Sequence, residues 1–339
     1  MKYNLFNCEQ YRLTKNGVSI DVFETLQNMY LKSETDALLD SIEDEIDELR
    51  TMYVFKDFLI KLYLEYYPEY KYMGFEALED CEFTMDRSLQ YSLDEGSTWN
   101  NLLANSLTPI VHAGEKIYFK GTLNERPGTG IGTFSATGEH NVFGNVLSLV
   151  YGDNAFDVTD ISDHSRLFYS LFDGDTLLVS AENLLLTPKV LCTSCYSYMF
   201  NGCTSLTTAP SIIPVNANAS CSYMFNECTS LTTAPELPST TLNTTCYSFM
   251  FRNCTSLTTA PELPAKTLMD GCYRSMFSGC TSLNYIKAMF TTEPSDVYTP
   301  SWVANVASTG TFVKNSEAEW NVTGDNGIPS GWTVETETA

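Results

Sequence analysis

Histidine and positive charge are scarce in this chain. Among 339 residues there are 3 His, and 19 Lys plus Arg stand against 42 Asp plus Glu, a formal net charge of −23. Phosphate backbones are bound by a surplus of Lys and Arg, so this balance excludes a nucleic-acid partner. His112, His140 and His164 share no motif with a Ser or Cys nucleophile, and no catalytic constellation assembles around them. No run approaches the roughly 20 apolar residues needed to span a bilayer. Residues 1–10 lack a charged segment followed by a long apolar stretch. No membrane insertion and no export signal are expected, so the cysteines should be reduced when the chain folds in the cytoplasm.

What charge there is lies unevenly. Residues 1–70 carry 14 acids against 7 bases, residues 71–190 carry 17 against 7, and the tail from 291 carries 7 against 1. Residues 191–290 carry 4 of each. A neutral, Thr-rich block suits a polar, uncharged partner such as a glycan or a protein.

That neutral block is repetitive. Met199-Phe200, Met224-Phe225, Met250-Phe251 and Met276-Phe277 recur at spacings of 25, 26 and 26 residues. Four residues after each Met stands Cys203, Cys228, Cys254 or Cys280, and three residues further Leu206, Leu231, Leu257 or Leu283. An apolar set at fixed phase means that each repeat is one coil, able to bury its apolar side only by stacking. The Cys-to-Pro segment reads as a short strand, giving a sheet about 15–20 Å wide over four coils. The Tyr-Met-Phe segment reads as a helical or 3₁₀ turn opposite, and Pro210, Pro235 and Pro261 close the strands. The candidate binding face is Thr207, Thr208, Thr232, Thr233, Thr258 and Thr259, a polar array beside the Leu ladder; Thr is also ordinary strand filler.

A second cysteine ladder, Cys195, Cys246 and Cys272, is broken in the second repeat, where Ser220 takes that phase and Cys221 follows it. The only Cys-x-x-Cys pair is Cys192 and Cys195, too little for a metal site. Buried free thiols acting as small hydrophobes are expected, with no metal and no cofactor.

The Met-Phe, Cys, Leu and Leu-Pro phases resemble BspA-like leucine-rich repeats of surface proteins from gut Bacteroides and of phages that infect such hosts, crAss-like phages among them. The resemblance covers roughly residues 180–335, including the Gly-Ile-Pro-Ser-Gly-Trp string at 327–332, with Trp302, Trp320 and Trp332 sealing the last coil. It implies adhesion or surface recognition and names no ligand.

Before the repeats, Ser33-Glu34-Thr35-Asp36 is a capping box that marks a helix start. Leu39, Ile42, Ile46 and Leu49 then step as a heptad seam, Met52, Phe55, Leu59, Leu62 and Tyr66 form a second, and Pro68 ends the helix. Periodicity alone fits equally a helix docked on its own domain. Tyr30-Leu31-Lys32-Ser33-Glu34-Thr35-Asp36-Ala37-Leu38-Leu39 resembles the string that opens trimeric helical stalks in phage fibre proteins. That resemblance implies a homotrimer with Leu39, Ile42, Ile46 and Leu49 as its seam.

Residues 71–125 read as strands between turn signals. Ser92 to Trp99 resembles an Asp-box, a turn device that sialidases use in several copies; one copy with few, scattered arginines does not make a glycosidase. Gly128 to Gly132 lacks the strand-and-helix context of a phosphate loop. Asp153, Asp157, Asp160, Asp173 and Asp175 lack EF-hand spacing.

The expected class is α+β and multidomain. Residues 1–32 would be an anchor to other virion proteins, 33–70 a helical stalk (coiled coil), and 71–125 a small Ig-like β-sandwich. Residues 126–190 would be the N-terminal cap, 191–290 a leucine-rich-repeat solenoid of four repeats, and 291–339 the C-terminal cap. The expected function is non-enzymatic: a bacteriophage fibre or spike subunit, made in the host cytoplasm and exposed on the virion, that binds host-surface glycan or protein. The alternatives are a bacterial BspA-like surface adhesin and, third, a glycan-active enzyme.

Overall fold

The computed structural model describes residues 12–15, 18–21, 71–122, 130–211, 213 and 220–337. The chain divides into two units, Met1–Tyr63 and Leu64–Ala339. In the first, β1 (Arg12–Lys15) pairs antiparallel with β2 (Val18–Asp21), Arg12 facing Asp21.

The second unit opens with β3 (Met73–Ala77), β4 (Phe83–Met85), β5 (Leu89–Ser92), β6 (Asn100–Leu102) and β7 (Lys116–Lys120). Then come β8 (Phe134–Ala136), β9 (His140–Asn145) and, after a four-residue helix α1 (Ser148–Tyr151), β10 (Leu178–Leu185). Six of these strands form one sheet in the order β10-β9-β3-β7-β5-β6, while β4 and β8 pair as a separate ribbon. On β3, Met73, Phe75 and Ala77 point inward at the period of two that a strand imposes. The Phe75 ring stacks on Phe83 of the ribbon at 4.5 Å and meets Phe134 edge-on at 5.1 Å.

Within this sheet β9 and β10 run parallel, and from there each coil stacks on the last. The rings Phe134, Phe172, Phe200, Phe225, Phe251 and Phe277 form one spine, with successive centroids 6.2, 5.3, 5.3, 5.6 and 5.7 Å apart and planes within 21°. Trp302 continues it at 6.1 Å from Phe277. One buried apolar cluster therefore runs from Met73 to Trp332. Each Phe of the spine removes a large apolar surface from water, on the order of 2–3 kcal/mol apiece.

Backbone hydrogen bonds show how a coil is built. From Tyr196 to Cys203, alternate amides do different things. Those of Tyr196, Tyr198, Phe200 and Gly202 donate to carbonyls of the next coil, at Ser220, Ser222, Met224 and Asn226. Those of Ser197, Met199, Asn201 and Cys203 close turns onto the carbonyl three residues back. This alternation needs a left-handed residue every fourth position. Positive φ accordingly recurs at Ser194, Tyr198 and Gly202, at Thr245, Phe249 and Asn253, and at Gly271, Ser275 and Gly279. The same spacing appears outside the repeats, at Arg166, Ser170 and Gly174 and at Ser301 and Asn305.

The cysteines at the Leu-proximal phase are more than small hydrophobes. The thiols of Cys203, Cys228, Cys254 and Cys280 donate to the carbonyls of Phe172, Phe200, Phe225 and Phe251, each one coil back, at 2.9–3.1 Å. They satisfy second lone pairs that a narrow core hides from water. At the far end β11 (Tyr285–Ala288), β12 (Thr311–Asn315) and β13 (Thr333–Glu337) form a parallel sheet. There the indole N–H groups of Trp302, Trp320 and Trp332 donate to Gly327, Phe290 and Ala307 carbonyls.

The expected fold class is corrected by these observations. Among the described residues the helical content is α1 and one 3₁₀ turn, Gly152–Asp157; strands and turns make the rest, so the described residues are mostly sheet and turn and not α+β. The described residues give a coiled-coil stalk no support; residues 33–70 and the seam Leu39, Ile42, Ile46 and Leu49 lie outside them. The Tyr-Met-Phe segments are chains of left-handed turns instead of helix, because alternate amides leave to bond the neighbouring coil. The expected strand sheet across the repeats is reduced to isolated bridges, such as Thr208 with Thr233 and Thr259 with Tyr285. The segment from 71 is no separate sandwich, since β9 and β10 carry its sheet into the coils.

Candidate recognition surface

The structure places Thr207, Thr208, Thr232, Thr233, Thr258 and Thr259 together along the coils, Thr208 half-buried and the others exposed. Part of this array is occupied internally. The Thr207 hydroxyl donates to the Val179 carbonyl at 3.1 Å and the Thr232 hydroxyl to the Thr207 carbonyl at 3.4 Å. Thr208 and Thr233 bridge through their backbones. The array is thus a ladder seam, exposed except at half-buried Thr208, in which the Thr207 and Thr232 hydroxyls are bonded internally.

A second stripe is aromatic. Tyr169, Tyr198, Tyr223 and Phe249 are half-buried and follow one another with ring centroids 5.3, 4.6 and 4.4 Å apart, the first pair tilted by 47° and the other two stacked. Three of the four sit at left-handed turn positions, with φ of 60°, 58° and 59°. Positive φ is costly for a bulky side chain, about 1–2 kcal/mol each. Beside the stripe the Asn226 amide donates to the Asn201 side-chain oxygen, and the Asn201 amide to Asp173, both at 2.7 Å. The repeat pattern does not mark these aromatics, because their position varies where the Met-Phe pair does not. The residue just before Met (Tyr198, Tyr223, Phe249, then Ser275) was the available signal.

Other chemistry-bearing groups stay apart. The three histidines sit in separate pairs: His112 with Asp80 at 3.1 Å, His140 with buried Asp175 at 3.3 Å, and His164 with the Tyr151 hydroxyl at 2.7 Å. Asp94 is consumed by its own turn. It accepts from the Thr98 amide at 2.8 Å, the Thr98 hydroxyl at 2.7 Å and the Ser92 hydroxyl at 2.7 Å, and these bonds hold its carboxyl below the usual carboxylate range. Gly96, at φ 85°, turns the chain over Tyr72, whose ring would meet any side chain there. Burial pushes the thiols of Cys203, Cys228 and Cys254 far up, and Cys246 and Cys280 to about 12, so they stay protonated. Among the described residues no group of three or more His, Cys, Asp and Glu is placed to hold a metal ion.

An open depression of about 500 Å³ lies beside the last coils, lined by Thr291, Glu293, Glu317, Glu319, Trp320 and Asn321. Glu317 is already paired with Lys266 at 2.9 Å, and the Trp320 ring is stacked on Phe290. The coil surface therefore remains the place where repeated side chains are presented in register.

Set against protein-family models, curated proteins and solved structures, the chain matches none.

Proposed function

We propose that this chain is a non-catalytic recognition subunit of a bacteriophage virion, exposed on a fibre or spike, whose coil surface binds a neutral glycan of the host cell. The observation that carries the reading is the stripe Tyr169, Tyr198, Tyr223 and Phe249, which repeats an aromatic edge at about one coil spacing, with a hydroxyl on the first three, and whose last three members lie in the block bearing 4 acids and 4 bases. Aromatic side chains with polar tips bind at low entropic cost, and an uncharged surface within an acidic protein disfavours ionic ligands. The exposed threonines add hydroxyls to the same coils. The resemblance of the repeats to BspA-like surface proteins supports the same direction, as does that of the Tyr30-to-Leu39 string to phage fibres.

Two readouts test the proposal. Antibody against residues 191–290 should label the exterior of purified phage particles, and the purified chain should bind uncharged polysaccharides on a glycan array. Labelling confined to phage-free bacterial surfaces would replace the virion assignment with a bacterial adhesin. Binding only to a protein on the host cell would overturn the glycan assignment.

A further inference from the structure

We propose, resting on the glycan reading above, that the far face of Phe249 is a subsite on which one pyranose ring of the glycan stacks. A column of stacked rings shows a face only at its ends. Backbone bonds fix which residue follows which along this column. The amides of Tyr198, Tyr223, Phe249 and Ser275 donate to the carbonyls of Ser222, Ser248, Arg274 and Pro300. Tyr198, Tyr223, Phe249, Ser275 and Ser301 therefore hold one position in successive coils, all with φ between 49° and 60°. Tyr223 lies 4.6 Å from Tyr198 and 4.4 Å from Phe249 with planes within 12°, so both of its faces are covered. Phe249 has Tyr223 on one side only; on the other come half-buried Ser275 and exposed Ser301.

The two ends of the column differ. At the first, Ser170 holds the position before Tyr198, its amide donating to the Ser197 carbonyl. Its neighbour Tyr169 fills the place, with its ring 5.3 Å from Tyr198 and tilted 47°, and the Arg166 guanidinium sits over the Tyr169 ring at 5.6 Å. At the second end the corresponding neighbour of Ser275 is Arg274, an exposed side chain without a ring. The Arg274 Nε lies 3.7 Å from the point that a β-carbon on Gly271 would occupy, so this side chain leans back along its own coil. The face of Phe249 is left above a floor of two serines, roughly 10 Å long at two strand spacings.

A pyranose suits this place. One of its faces carries C–H groups while its rim carries hydroxyls, and a bare aromatic ring would leave the rim groups unused. Ligand sites commonly join an apolar plate to a few convergent polar groups. Phe249 supplies the plate, the Ser275 and Ser301 hydroxyls each donate and accept, and the Arg274 guanidinium donates to hydroxyl oxygens. Tyr198 and Tyr223 support the plate from behind and present their edges.

The test is titration calorimetry of the full chain against dextran, mannan and galactan in turn. Ser275→Tyr carries the column one coil further and covers Phe249; Tyr198 and Tyr223 already hold this residue at the same turn position. Phe249→Leu keeps an apolar side chain and removes the flat face. Wild type should bind at least one of the three, and each folded variant should weaken that binding by about tenfold or more. Where a variant does not fold, saturation-transfer NMR on the wild type decides: irradiating aromatic protons should label the C–H protons of one sugar face first, and even labelling of both faces would overturn the subsite. Binding retained by the folded variants would also overturn it while leaving the glycan reading in place. Failure of wild type to bind any of the three would overturn both.

Discussion

The four repeats between 191 and 290 and the coils on either side of them are held by the same backbone bonds yet share little sequence. Phe134 and Phe172 precede the repeats in the aromatic spine and Trp302 follows them, but only the repeats carry the Met-Phe, Cys, Leu pattern. In the first flank Asp175 takes the position of the ladder cysteine and pairs with buried His140. In the second, Trp302 stands at the Met position, its ring filling the end of the stack. The difference teaches that the coil is specified by alternating amide partners and left-handed turns. Residue identity decides only what fills the space between coils.

Several substitutions would break or sharpen this comparison. The largest effect belongs to a charge in the buried core of the stack: Leu231→Asp or Phe251→Asp buries a carboxylate without a partner. Either should cost more than about 4 kcal/mol and abolish the cooperative thermal transition seen by circular dichroism. Next come Phe225→Ala inside the repeats and Phe172→Ala outside them. If flank and repeat are one stack, each should lose about 3–5 kcal/mol in denaturant unfolding; a much smaller loss at Phe172 would separate the flank from the stack.

Smaller effects probe the turns and the sheet. Glu227, at φ 64°, holds the position that Gly202 and Gly279 fill in other coils. Glu227→Gly should therefore stabilise by about 0.5–1 kcal/mol, read as a raised melting temperature, because glycine adopts positive φ without steric cost. Acidification probes Asp153, beside the first sheet. The Tyr72 hydroxyl above all, then Lys120 and Lys71, hold its carboxyl below the usual range. A carboxyl lowered in the folded state gives stability that is present above its unfolded value, about 3.9, and lost as pH falls through the folded one. Asp153→Asn should accordingly flatten the acid side of the stability profile slightly, with no change near neutrality in its slope.

Much of the stack was legible in the chain itself. The recurrences of Met199-Phe200, Cys203 and Leu206 gave its period and its inward face, since identical apolar sets at fixed phase must stack. The flanks were illegible because Phe172 and Trp302 sit in different side-chain contexts while only backbone bonds repeat. The left-handed turns were hidden too. They fall on Ser, Tyr, Thr, Asn and Phe as readily as on Gly, so no glycine pattern announced them. The threonine array was visible as composition, but the internal use of the Thr207 and Thr232 hydroxyls depends on carbonyls about one coil back. The aromatic stripe required knowing which residue of each turn reaches the surface.

The most direct test compares wild type with the double variant Tyr198→Ala, Tyr223→Ala. Both side chains lie at the half-exposed edge of the coils, so the variant should unfold cooperatively like wild type. Titration calorimetry against the polysaccharide bound on the array should then show affinity reduced by at least about tenfold, near 1.4 kcal/mol. Unchanged affinity in a folded double variant would contradict recognition through the aromatic stripe.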